Sequence, residues 1–413
     1  MTANTLLSIG MITEEALVVL ENQLTFTKHV NRQYDSAFGN QGRQIGDTLS
    51  VRVPPRYTAR TTAPFTAQGS VESTVPITLD KQYGVDMSFT SKELTLDINS
   101  FSEQFLKPAV AAVSNKIDYD GMQLYKDVYQ LVGTPGTTPS TMENYLNAGV
   151  KLDNSAAPND DMRFAVVNPA AQAKIVYGNQ ALFNPNSDIS KQYREGTMGR
   201  AAGFGWSMDQ NVGVQTIGTY AANVAGGAVT VNGAVSSGSS IVLAGWASGD
   251  ILNEGDVVTF GSGTTGVYSV NPQNRQSTGQ LQQFVVTSTA TARGGGAMTI
   301  TVSPALVFSG NFQNVYSATS TLATSTVLNV YGASATSTPQ NLVFHRDAFT
   351  FATADLIMPN SGVKAYKASS KKLGMSIRIV EFFDGINDRN NYRLDLLGGW
   401  ATLRPELACR VAG

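Results

Sequence analysis

The sequence predicts a mixed α+β fold that carries an additional all-β domain, and three observations lead there. Apolar residues change from helical spacing to strict alternation over residues 45 to 97. A long helical repeat follows over residues 100 to 132. Beyond residue 212 charged residues almost vanish. Short alternating runs between glycine-rich turns take over, the pattern of a β-barrel or sandwich.

Residues 1–40 form a helical arm. Residues 13 to about 34 read as an amphipathic helix with Thr13 as its N-cap, and Glu14 and Glu15 complement the positive helix end. Leu17, Leu20 and Leu24 fall at i, i+3 and i+7 on one stripe. Such a helix needs a surface to lie on, its own domain or a neighbouring subunit, so these leucines are candidate subunit-interface residues. Residues 41–98 make an extended β-arm. Leu49, Val51 and Val53 alternate with polar residues, as do Val71, Val75, Ile77 and Leu79, then Tyr83, Val85, Met87 and Phe89. The polar stretch PPRYTARTTAPFTAQGS lies between the first two runs as an irregular tip. Arg52, Arg56 and Arg60 are four apart and share one face of an extended segment. They read either as a solvated edge that resists aggregation or as a basic row meeting carboxylates on another chain.

Residues 99–135 predict a spine helix. Ser100 and Glu103 form a capping box. Phe105, Ala109, Ala112, Val113, Ile117, Leu124, Val128 and Leu131 then repeat at helical spacing, and Gly133 and Pro135 end the run. At about 1.5 Å per residue the helix would span roughly 50 Å, with Pro108 kinking it or marking a late start. Residues 136–211 read as a small α/β domain. Its elements are a helix from Pro139 to about Leu152 capped by Thr138, a buried strand RFAVVN (163–168), a helix over 169–177, and a glycine-rich basic loop over 190–206. From 212 to 341 the only charged residues are Asp250, Glu254, Asp256, Arg275 and Arg293. This is the expected inserted β-domain. Residues 342–413 return to the first fold, with MSIRIVEFF (375–383) as a strand, DGIND as a turn, and a closing strand broken by a tight Gly398-Gly399 region.

Chemistry is sparse. The 29 basic and 31 acidic residues give a net charge of −2, so a chain-wide electrostatic grip on nucleic acid is not expected. The single cysteine, Cys409, excludes a disulfide framework within the chain and a multi-cysteine metal site; in its apolar setting it reads as a small core residue. His29 reads as a surface helix residue and His345 as a packed or interface histidine. Asp160 and Asp161 read as a solvated turn. No P-loop, nucleophile elbow, H-E-x-x-H or C-x-x-C occurs, and DGIND lacks calcium-ligand spacing. We therefore expect no catalytic, metal or cofactor site. No membrane-spanning apolar run or signal peptide is read, and the protein is expected to remain in the cell that makes it.

Three segments carry a resemblance. QYREGTMGRAAGF (192–204), LNEGDVVTFGSGTTGVYSVN (252–271) and GGWATLRPELACRV (398–411) are similar to stretches of the short-tailed-phage coat proteins. The order of helical arm, β-arm, spine, α/β domain, β-insert and closing strands resembles the HK97-type major capsid fold. The resemblance implies peripheral and axial domains, the β-arm being the E-loop. It implies self-assembly into pentamers and hexamers of an icosahedral shell, around double-stranded DNA that is enclosed without sequence-specific binding. It also implies a scaffolding protein during assembly, a portal, no membrane partner, and a virion location after assembly in the host cytoplasm. A cellular nanocompartment shell of the same fold, a surface β-adhesin and an enzyme with a β-sheet accessory domain are the competing readings.

Overall fold

The computed structural model describes residues 9–32, 48–57, 73–90, 107–178, 198–221, 229–359, 363–369 and 375–413. The chain divides into two compact units. One comprises Met1–Val51, Thr74–Gly121 and Phe349–Ala401; the other comprises Arg52–Ser73, Met122–Ala348 and Thr402–Gly413. The mixed helix and strand content is the expected fold class.

The first unit is built on a long antiparallel sheet. Strand Arg389–Thr402 pairs on one side with Ser376–Asp384, which in turn pairs with Lys364–Ser369. On the other side it pairs with Lys81–Thr90, in register from Arg389↔Thr90 to Gly398↔Lys81, and with Phe349–Ala354. The DGIND turn is as expected: Asp384 accepts hydrogen bonds from the Ile386 N–H (3.0 Å) and the Asn387 side-chain amide (2.7 Å), an Asx-type closure. The closing strand does not break at Gly398-Gly399 but runs through it. A Cβ on Gly399 would lie 1.9 Å from the Thr78 carbonyl oxygen, so this glycine permits close backbone approach where a turn was expected.

The first helix spans Ile9–Gln23, so Thr13 lies inside it, fully buried, and does not cap it. The helix stops about ten residues earlier than its periodicity suggests. The reason is Asp118 of the spine helix, whose buried carboxylate accepts the backbone N–H groups of Thr25 (2.6 Å) and Thr27 (3.0 Å) and the Thr27 hydroxyl (2.5 Å). These bonds take donors that a continuing helix would have used. His29 consequently falls in a turn and not on a helix surface. The first helix packs against strands Lys364–Ser369 and Ser376–Asp384.

The spine helix is described over Lys107–Met122 and tightens into a 3-10 turn over Gln123–Asp127. The Ser100–Glu103 cap lies outside the described residues. The sixteen described residues span roughly 24 Å. The helical pattern fails at its C-terminal end because Leu131 and Val132 form a parallel pairing with Arg410 and Val411. A sheet partner distant in sequence outweighs local periodicity there. On the helix, Ala109, Val110, Val113, Ser114, Ile117 and Asp118 form one buried stripe.

In the second unit a six-stranded mixed sheet has the spatial order Leu131–Val132, Ala408–Val411, Asn341–His345, Arg163–Val167, Phe204–Met208, Arg200–Ala201. The strand–helix–strand crossover runs from Arg163–Val167 through helix Pro169–Gly178 to the parallel strand Phe204–Met208. Every residue of Asn341–His345 and Ala408–Val411 is buried, as central strands require. Two expectations change. Helix Met142–Asn154 begins after Thr141, not at Pro139. Within the expected loop over 190–206, Arg200–Ala201 and Phe204–Met208 form a hairpin whose Trp206 indole donates to the Ala201 carbonyl (2.9 Å) and packs on Tyr145.

Between strands Phe204–Met208 and Asn341–His345 the chain makes a long β excursion. Its outgoing strand Val214–Thr216 pairs with its returning strand Ser337–Pro339. Inside that neck lies an antiparallel sheet ordered Leu328–Val330, Val257–Phe260, Phe284–Val286, Met298–Val307, Ser237–Ala244, Thr230–Val231. Alternation along MTITV sends Met298, Ile300 and Val302 into a core shared with Ile241, Leu243, Phe260 and Phe284. Each such fully buried side chain contributes roughly 1.5–3 kcal/mol.

Candidate functional site

The candidate interface residues occupy three different settings. Leu17, Leu20 and Leu24 are buried in the interior of the first unit. Phe26, two residues further on, packs on Phe349 and Trp400 at 5.7 and 5.5 Å between ring centres. Arg52 is exposed on strand Thr48–Val53. Arg56 lies past the strand end, donates to Glu406 at 3.3 Å, and sets its guanidinium 5.9 Å from the Phe312 ring centre. Both partners are partly solvated, so the pair contributes at most about 1 kcal/mol. Arg60 lies outside the described residues.

A second constellation, which periodicity gave no way to assemble, forms where the neck of the β excursion meets the mixed sheet. Asp256 is buried beside the neck. Its Oδ2 accepts the N–H groups of Gly218 (2.9 Å) and Asn253 (2.8 Å), and its Oδ1 accepts the Gln215 amide (2.8 Å). Gln215 Oε1 accepts the Tyr125 hydroxyl at 3.0 Å. Burial raises the Asp256 carboxyl pKa, outweighing these donors. Gly255 adopts φ +92, and a Cβ there would meet Gln215 Oε1 at 2.6 Å, so the position requires glycine. Its carbonyl accepts Arg410 Nη1 at 2.8 Å. Arg410 is fully buried, lies 5.8 Å from the Tyr125 ring centre, and is held by burial down to about 10. The Gln283 side chain imitates a strand edge: its Nε2 donates to the Leu131 carbonyl (2.8 Å) and its Oε1 accepts the Leu131 N–H (2.9 Å).

Two of the segments that carried the resemblance therefore meet. Gly255 and Asp256 come from the first, and Arg410 from the second. The signal in the sequence was that the few charges of a charge-poor region sit at turns.

The residues singled out for chemistry have structural settings. His345 is buried; its Nε2 lies 3.0 Å from Asp160 Oδ1, and its Nδ1 accepts the Asp347 N–H at 3.2 Å. That fixes the Nε2-protonated tautomer for the neutral ring. Asp161 pairs with Arg200 at 2.5 Å. His29 is lowered to about 4, chiefly by burial and then by Lys28. Cys409 is buried and its thiol is pushed up to about 12 by burial, a setting that suppresses thiolate chemistry. Among the described residues no group of three or more His, Cys, Asp or Glu side chains could hold a metal, and no helix is long and apolar enough to cross a membrane.

Comparison with known proteins matches residues 237–413 to the family model "P22 coat protein - gene protein 5". Over these residues the chain is similar to that coat-protein family. It is a major capsid protein, a shell-forming subunit of a tailed phage. The matched segment takes in most of the β excursion, strand Asn341–His345 and the whole C-terminal part with Glu406 and Arg410. No curated protein matches the chain. Among solved structures it is similar to a chain of Mycobacterium phage Che8, with 12% identity, 94% of this chain and 91% of that one covered, and a TM-score of 0.47. It is similar also to a chain of the capsid of Ralstonia phage GP4, with 8% identity, 95% and 90% covered, and a TM-score of 0.49. A third is a virus-like particle chain from Pyrococcus furiosus, with 9% identity, 97% of each chain covered, and a TM-score of 0.39.

Proposed function

We propose that this chain assembles as pentamers and hexamers into a closed icosahedral shell around double-stranded DNA. A scaffolding protein acts during assembly, a portal interrupts the shell, and assembly takes place in the host cytoplasm. The coat-family match over residues 237–413 carries this reading. The near-balanced charge of −2 supports it, because a neutral wall can enclose a polyanion without binding it in place. The role is structural, not catalytic.

Within that reading the domain limits are those of the sequence: arm 1–40, β-arm 41–98, spine 99–135, α/β domain 136–211, β-domain 212–341 and closing segment 342–413. Arg52 and Arg60 are the arm residues that reach carboxylates of a neighbouring subunit, and Arg56 steadies the arm base through Glu406. Leu17, Leu20 and Leu24 serve the interface by fixing the helix that presents the arm.

The test is expression of the full chain, alone and with its genomic neighbours, followed by sedimentation and electron microscopy. Closed shells or capsomers are expected. A chain that stays monomeric with every candidate scaffolding protein would overturn the reading. Charge reversal of Arg52 together with Arg60 is expected to block assembly while leaving the subunit folded. Normal shells from that variant would remove the arm from the interface.

A further inference from the structure

The polar joint contains a site that its side chains leave incomplete. Arg410 is fully buried and uses Nη1 on the Gly255 carbonyl. Its Nε and Nη2, whose N–H bonds point the same way along one edge of the guanidinium, reach no acceptor among the described residues. Gln340 is 2% exposed, and its Nε2 donates to the Thr338 carbonyl at 3.1 Å. That bond fixes the amide orientation, since the flipped amide would set two oxygens against each other. Gln340 Oε1 is left buried without a donor. Both side chains line one cavity of about 10 Å³, whose wall also includes Gln215, Asp256, Leu131 and Ile217.

We infer that this cavity is a binding site for a single structural water, which accepts from the Nε and Nη2 edge of Arg410 and donates to Gln340 Oε1. The volume is what one water needs, and three polar partners are the usual number for a buried water. The wall chemistry selects water over the alternatives. An anion would suit the Arg410 edge but would face the Gln340 oxygen and the Asp256 carboxylate. A cation would face Arg410. Water alone both accepts and donates. A buried donor edge and a buried acceptor are both costly to leave unpaired, so one molecule resolves two deficits. The water joins the C-terminal strand Ala408–Val411 to the returning segment Ser337–Gln340. It thereby completes a joint whose direct bonds already tie Tyr125, Gln215, Asp256, Gly255 and Arg410 together. At neutral pH Arg410 remains charged, so its donor edge persists.

The test is a map of the full-length protein, as assembled particle or crystal, at a resolution that shows ordered water. The expected result is one density peak at about 2.7–3.2 Å from Arg410 Nε or Nη2 and from Gln340 Oε1. An empty cavity, a direct Arg410–Gln340 bond, or a peak with the longer contacts of chloride and donors only around it would overturn the inference. Gln340→Met places a thioether where the acceptor was. It is expected to remove the peak and lower the unfolding midpoint. A retained peak or an unchanged midpoint would contradict the assignment. Should that variant fail to fold, the map of the parent protein decides.

Discussion

Charge is used in opposite ways by the β excursion and by the long closing sheet of the first unit. In the β excursion charges mostly serve the backbone. Asp250 accepts the N–H groups of Ala221 (2.8 Å) and Ala247 (2.9 Å), Asp256 accepts those of Gly218 and Asn253, and Arg275 donates to the carbonyls of Gly310 (2.8 Å) and Asn311 (3.1 Å). In the closing sheet charges serve one another. Asp395, 1% exposed, holds Arg378 at 2.7 Å and Arg393 at 2.9 Å, while Lys364 reaches Glu381 and Lys367 pairs with Asp355. A region with few charges places them at turns, where one carboxylate satisfies two N–H groups that no strand partner can reach. A region with many charges arranges them across neighbouring strands.

The comparison can be broken at several points. The largest effect is expected in the β excursion's core, where Phe284→Ala removes a fully buried ring 5.5 Å from Phe260 and should cost about 3–5 kcal/mol in a denaturant titration. A cost below about 1 kcal/mol would mean that the apolar core is not what holds this region. Next comes Asp256→Ala, which orphans two backbone N–H groups and the Gln215 amide and should cost about 1–3 kcal/mol. If charges there act only by pairing with other charges, Asp256→Asn should be as damaging as Asp256→Ala. The backbone role predicts that Asn, which keeps an acceptor, is milder.

The two carboxylates also separate by pH. For Asp395, burial raises the pKa, but hydrogen bonds from Arg378 and Arg393 outweigh it and hold the group below the ordinary carboxylate range. Its contribution is therefore fully present above the unfolded value of about 3.9 and lost as pH falls through the depressed folded value. Asp256 is raised, so its contribution runs the other way and grows as pH falls through its folded pKa. The stability difference between Asp395→Asn and the parent should be greatest at neutral pH and shrink in acid. A difference independent of pH would contradict the ion-pair account. The smallest effect is expected for Arg56→Ala, about 0.2–1 kcal/mol and reduced further by salt. A larger loss would make the arm base a structural anchor.

Much of this was legible in the sequence. The β excursion was visible as a composition shift at residue 212, and MTITV alternates in the structure as it does in the sequence. The DGIND turn and the buried RFAVV strand were read from local pattern. What was not legible depends on partners distant in the chain. Leu131 and Val132 continue a helical repeat, but strand Ala408–Val411 captures them. The first helix stops where Asp118, more than ninety residues away, takes the donors of Thr25 and Thr27. Gly398-Gly399 looked like a turn because glycine marks both bends and close backbone approach, and only the position of Thr78 distinguishes them. The joint was least legible, since Tyr125, Gln215, Asp256 and Arg410 lie in four separate segments and no spacing links them.

The central claim is that this chain builds a closed shell, and a cryo-electron microscopy reconstruction of the particles it forms tests it most directly. The account predicts a closed icosahedral shell whose density is traced by many copies of this chain, grouped as pentamers and hexamers. Monomers alone, or open fibres without closure, would contradict it.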